Sequence, residues 1–280
     1  MKADCHMHMV LDGYNWKSAI ARHENAPQEA FIRQALINYQ QLGCTYLRDG
    51  GDKWGVGAKA RELAPEYGIA YRTPLSPLCK VGHYGAFIGT AFENAADFAR
   101  QVVNIRKNGG DFIKIMISGL MDFHQFGVLT EEGLPAGEIA QLIHIAHEEG
   151  MSVMVHANGA ETVTAAAEAG VDSVEHGAYL DENALQAMES FGVVWVPTLS
   201  TVGNLLGKGR FPDDQVEKIL ASALENVSRF AAMGGLLAAG TDAGAWAVPH
   251  GSTTEEGYFA AAGVGEEILS RGLAVIKQKF

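Results

Sequence analysis

Short apolar, β-branched runs alternate with longer amphipathic stretches along the whole chain. The runs at 3–8, 44–49, 69–73, 112–117, 152–156, 173–175, 193–199 and 236–241 predict strands. Most lack polar alternation, as strands covered on both faces should. Helices are predicted at 28–42, 91–107, 135–149 and 214–233. In the first of these, Phe31, Ala35, Ile37, Tyr39 and Leu42 supply the apolar positions. Gly43, Gly68, Gly109, Gly150, Gly170 and Gly192 each follow a helical stretch and precede a strand, where a left-handed cap residue is wanted. Pro135 and Pro212 stand near helix starts, where a missing N–H costs nothing. Eight β/α units with parallel crossovers predict an α/β protein, a closed (β/α)8 TIM barrel. A doubly wound open sheet is the alternative. No Pro/Ser-rich linker or charge block divides the chain, so residues 1–280 are expected to form one domain.

Composition narrows the class. With 280 residues, 48% of them hydrophobic, the chain can bury one large core, and disorder is excluded. Lys plus Arg number 21 against 33 for Asp plus Glu, a net charge of −12, which repels phosphate backbones and anionic lipid. Nucleic acid and membranes are therefore not expected partners. Cys5, Cys44 and Cys79 form no CxxC pair and read as reduced thiols of a cytoplasmic protein. Charge and histidine interrupt the first residues, so no leader peptide is expected, and no apolar run reaches membrane-spanning length.

The C-terminal ends of the predicted strands carry the chemistry. The first ends in His6-Met7-His8, and strand geometry puts residues i and i+2 on one face. The fourth holds Lys114 in an apolar run, where a cation must find a partner, change charge state or be modified. The fifth ends in His156, the sixth in Glu175-His176, and the eighth leads into Asp242. Each has a bland reading alone: a hydrogen-bonded core histidine, a snorkelling lysine, a helix N-cap. Together, metal-ligand types stand at five strand ends, on the rim where barrel active sites are built.

These segments resemble the amidohydrolase superfamily of metal-dependent hydrolases, in particular its imidazolonepropionase-like and prolidase-like branch. The likeness is carried by Asp4-Cys5-His6-Met7-His8, by 112–116, by Val155-His156-Ala157-Asn158-Gly159 and by 172–177. Gly240-Thr241-Asp242-Ala243-Gly244, followed by Pro249-His250-Gly251, completes it. The resemblance implies a binuclear centre. His6, His8 and Asp242 would hold one divalent ion, and His156 and His176 the other. Lys114, carboxylated by CO2 on its ε-nitrogen, would bridge them. The ligand types suit Zn2+ first, with Mn2+ or Fe2+ as alternatives. The implied reaction is hydrolysis of an amide-type C–N bond by a metal-bridged hydroxide, with Asp242 as the catalytic proton carrier. A linear or cyclic amide, an N-acyl amino acid or a dipeptide is the expected substrate.

Deamination, lactone or phosphotriester hydrolysis, and a non-catalytic scaffold are the competing readings. Deaminases of the superfamily place a Glu soon after the fifth-strand His, whereas Ala157, Asn158 and Gly159 follow His156 here. Relatives commonly carry a small β-sandwich built from both chain ends. Its expected absence would expose apolar barrel surface, so a homo-oligomer is expected.

Contacts to a small-molecule substrate are expected from the loops. His83 and Tyr84 follow the third strand, Arg48 ends the second, and His124 lies in a loop that reads either as a lid or as core. Arg48 could pair a substrate carboxylate or simply meet Asp49 or Asp52. His144 and His147 read as surface residues.

Overall fold

The computed structural model describes residues 2–280. Its strands are β1 (Ala3–Met7), β2 (Tyr46–Asp49), β3 (Ala70–Arg72), β4 (Leu78–Lys80) and β5 (Thr90–Phe92). Next come β6 (Ile113–Met116), β7 (Val153–Ala157), β8 (Ser173–His176), β9 (Val194–Val196) and β10 (Leu236–Leu237). One parallel sheet runs β1-β2-β3 and another runs β10-β9-β8-β7-β6-β4-β5. Backbone hydrogen bonds link the sheets on both sides. Cys5 N–H donates to Ala239 O at 2.9 Å and Asp242 N–H to His6 O at 2.7 Å, while Asp111 N–H donates to Thr73 O at 2.9 Å. The result is an α/β, TIM-barrel-like arrangement.

The predicted strand runs are all recovered, most with shortened ends, although β7 runs on to Ala157 and β8 to His176, and two further strands appear. Pro74 and Pro77 break the chain after β3, because proline cannot donate to a ladder. Beyond them it resumes as β4, which pairs with β6 through Leu78 and Ile115. The helix predicted from residue 91 starts only at Ala95, since residues 90–92 form β5 and Asn94 caps the helix by accepting from Asp97 N–H at 3.0 Å. The six helix-ending glycines all take the left-handed conformation, with φ from 64° to 82°.

Helices cover the strands through the apolar stripes that the sequence carries. The helix Glu29–Gln41 buries Ile32, Ala35, Leu36 and Tyr39, one face at i, i+3, i+4 and i+7. Burying a side chain such as Leu36 contributes about 2 kcal/mol. Alternate strand residues fill the space between the strands: Tyr46, Phe112, Met154, Val194 and Val196 form one cluster with Phe280. One step further along the strands, polar side chains replace that floor. Phe112 gives way to Lys114 on β6, and Met154 to His156 on β7.

Candidate metal centre

The end of β1 brings two imidazoles together by an irregularity. Pairing with β2 shifts register between Asp4 and Met7. Such a bulge re-aims the side chains beyond it. Ala3 and Cys5 accordingly pack in the floor cluster, while His6 and His8 face a cavity of about 940 Å³. His6 Nε2 lies 3.4 Å from His8 Nε2. Asp242 Oδ1 lies 3.4 Å from the first and 3.5 Å from the second. Ligands about 2.0–2.1 Å from a tetrahedral ion stand roughly 3.3–3.4 Å apart, so this triangle fits a zinc-sized ion. Asp242 Oδ1 has no hydrogen-bond partner among the described residues, as a carboxylate oxygen kept for a cation should.

The backbone is held in unusual conformations to make this possible. Asp242 has φ 54° and His176 φ 68°, left-handed values that cost non-glycine residues on the order of 1 kcal/mol or more. Asp4 anchors the segment before Asp242 by accepting from Thr241 N–H at 2.9 Å and from its hydroxyl at 2.5 Å. Thr198 Oγ1 lies 2.7 Å from His176 Nδ1, and Trp195 donates to the His176 carbonyl at 2.9 Å. Gly50 packs flat against His8, where any Cβ would collide with the imidazole.

His156, His176 and Lys114 line the same cavity. The His156 and His176 ring centres are 4.5 Å apart, and His6 and His176 are 5.0 Å apart. His156 Nε2 faces the Gly119 carbonyl at 3.1 Å. Burial, reinforced by the Lys114 charge, pulls His8 and His156 down to about 3, and burial holds His6 and His176 well below the usual imidazole value. All four imidazoles are thus neutral, the form that binds metals. Burial raises Asp242 well above the usual carboxylate range, partly opposed by Lys114. Lys114 is fully buried with no partner for Nζ among the described residues, and burial lowers it to about 8. Roughly a tenth of it is then neutral at pH 7.

Of the other expected contacts, Tyr84 and His124 line the cavity. The Tyr84 ring sits 4.9 Å from His156. Arg48 does not line it, nor does it meet Asp49 or Asp52. It is fully buried beneath the centre, donating to Cys5 O at 2.7 Å, Ser173 Oγ at 2.9 Å and Glu175 Oε1 at 2.8 Å. With its donors used internally and its plane over Phe280, it has nothing to offer a substrate. His83 is also turned from the cavity, its Nδ1 held 2.5 Å from Glu131 Oε1.

Glu175, which the sequence offers only as part of the segment 172–177, backs His6 in the structure. Its Oε2 lies 2.6 Å from His6 Nδ1, fixing the tautomer that leaves Nε2 free. The available signal was Ser173-x-Glu175, two polar residues on one face of a strand that is buried at both positions.

No protein-family model matches the chain. Ochratoxinase from Aspergillus niger is 26% identical over 302 residues, covering 92% of this chain and 59% of its own length. An uncharacterized Mycobacterium tuberculosis protein is 26% identical over 264 residues, covering 90% of this chain and 65% of its own. The chain thus spans about 60% of the length of these curated relatives. Among solved structures, an Xaa-Pro dipeptidase with bound methionine superposes with TM-score 0.77 at 23% identity, covering 99% of this chain and 75% of its own. A. niger ochratoxinase gives 0.74 at 22%, covering 99% and 69%. Among the described residues no helix is long and apolar enough to cross a membrane. Prolidase-like and amidohydrolase proteins are among the chain's structural neighbours, and what it shares with them is the fold.

Proposed function

We propose that this chain is a metal-dependent hydrolase of amide-type C–N bonds, built on a closed (β/α)8 barrel. The observation that carries this reading is the His6, His8 and Asp242 triangle at the foot of a large cavity, beside a buried lysine without a partner. The names of the neighbours, Xaa-Pro dipeptidase and prolidase, support an amide substrate. His6, His8 and Asp242 would hold one divalent ion, Zn2+ first. His156 and His176, which lie side by side, would hold the other, with carboxylated Lys114 between them. Carboxylation joins the neutral amine to CO2 and releases a proton to solvent, turning a buried cation into an anionic oxygen ligand. Bound ions supply a Lewis acid for the substrate carbonyl and a water acidic enough to react near neutral pH.

The chain's own groups do the rest. Asp242, placed beside His6 and His8, would take the proton of the attacking water and pass it to the departing nitrogen. Glu175 keeps His6 in one tautomer, and Tyr84, whose phenol burial keeps protonated, donates to a substrate oxygen. Deamination is less well served. Asn158 stands where a proton-shuttling acid would be wanted, and its amide is spent on Gly119 O and Ala178 N–H.

The test is metal analysis with an activity screen of zinc- or manganese-loaded protein on N-acyl amino acids, dipeptides and five- and six-membered cyclic amides. About two ions per chain and turnover of an amide are expected. Lys114→Ala should lose metal and regain part of it with acetate, and Asp242→Asn should lose turnover while keeping most of its metal. A protein that stays metal-free and inactive after loading refutes the reading.

A further inference from the structure

The cavity wall carries a cation that the reaction above does not use. Arg210 lines the cavity and is exposed. Its guanidinium stacks 4.6 Å from the Trp246 ring centre and 5.3 Å from that of Phe211. Among the described residues no carboxylate pairs with it, although acids are close in sequence. Asp213 Oδ1 accepts from Gly207 N–H, and Asp214 Oδ2 takes Gln215 and Lys218. Asp122, which shares the cavity wall, accepts instead from His124 N–H.

The surroundings pre-position it. Phe211, the next residue, packs against Phe123 at 5.0 Å and His124 at 5.3 Å, so two loops form one aromatic roof. A guanidinium stacked on Trp246 has fewer conformers to lose than a free side chain, and its planar fork matches a carboxylate. Of the other basic side chains near the cavity, Lys114 belongs to the centre itself, and Arg48 and His83 are already held by Glu175 and Glu131. Lys17 also lines the cavity, with its ammonium 5.4 Å from the Trp16 ring centre, but it is a compact, strongly hydrated charge on an exposed stem.

We propose that Arg210 binds a carboxylate of the substrate, so that the cavity selects amides ending in a free carboxylate and carrying an aromatic body. N-acyl amino acids and dipeptides are then preferred to neutral or cyclic amides. This assignment rests on the hydrolase reading for its reaction, but not for its binding test.

The test compares N-benzoyl-L-phenylalanine with its carboxamide, by calorimetry on the zinc-loaded protein. Wild type should bind the acid about tenfold or more tightly than the carboxamide, the scale of one charge-assisted pairing. Arg210→Met should weaken the acid by that factor and leave the carboxamide unchanged, while Arg210→Lys keeps part of the preference. Equal binding of the two ligands by wild type, or binding of neither, overturns the proposal. So does a preference that persists in Arg210→Met, which would place the carboxylate on the metal or, if Lys17→Met abolishes it, on Lys17. The two readings fail separately. Cleavage of neutral amides without acid preference sinks only the Arg210 assignment, and acid preference without any amide cleavage sinks only the hydrolase.

Discussion

Glu175 makes a sharp test of how the centre is held. Glu175→Gln keeps the shape of the side chain but removes its charge. In the native chain Oε2 holds His6 Nδ1 at 2.6 Å, while Oε1 takes Arg48 at 2.8 Å and Ser173 Oγ at 2.7 Å, all out of water. Losing the carboxylate leaves the Arg48 cation buried without a counter-charge, and breaking such a pair costs about 3–5 kcal/mol. Glutamine can still offer one acceptor oxygen, so about 3 kcal/mol is expected, or a fall of roughly 6–12 °C in Tm. Loss of the carboxylate behind a ligating histidine should separately weaken metal binding by about 10- to 100-fold.

Thermal unfolding of the metal-free protein and chelator competition for zinc read the two effects independently. The double variant Arg48→Met with Glu175→Gln discriminates further. It removes both charges, so most of the stability should return while zinc affinity stays low. Unchanged zinc affinity in Glu175→Gln would falsify the assignment of Glu175 as the residue that orients His6. Unchanged Tm would show that Arg48 finds another partner.

Two further substitutions probe the scaffold. Gly50→Ala puts a methyl group into the His8 imidazole, so we expect zinc affinity to fall about tenfold and stability to drop by about 1–3 kcal/mol; chelator competition that gives wild-type affinity would show that the ring has room to move. Glu255, buried and accepting from Leu199 and Ser200 N–H, is pushed by burial from 4.5 up to about 7. Because the folded value is raised, its stabilising contribution is fully present below about pH 4.5 and is lost as pH rises through 7, so Glu255→Gln should flatten the Tm profile across that window. An equally steep profile in the variant would assign the slope to other groups.

Much of the architecture was legible because it depends on local rules. Strands covered on both faces read as apolar runs, and helix ends read as glycines such as Gly150 and Gly192, whose left-handed backbone a Cβ would strain. Where prolines break a strand, the rule fails: β4 and β5 are three residues each, too short for any period to declare itself. The convergence of His6, His8, Lys114, His156, His176 and Asp242 on one cavity was legible because parallel strands all present their C-terminal ends to one rim. Side-chain partnership was not. Arg48 at a strand end reads like a substrate anchor until its actual partner, Glu175, is seen across the interior, 127 residues further along the chain. The same long-range pairing hid Glu131 behind His83.

The site also explains where the fold tolerates disorder in its hydrogen bonding. Six buried side-chain atoms among the described residues lack a partner, and three of them belong to this one cavity: His8 Nδ1, Lys114 Nζ and Asp242 Oδ1. Each unsatisfied buried group costs about 1–3 kcal/mol, so the centre carries a local deficit that random placement would spread over the molecule. The supporting groups show the opposite trend. Asp4, Glu175, Thr198 and Asn158 are all hydrogen-bonded, and they fix the backbone or ring positions of the residues around the cavity. Unsatisfied atoms within a satisfied shell are what a site needs if a cation is to complete it. A scaffold kept only for its shape would gain stability by filling the same positions with leucine and valine.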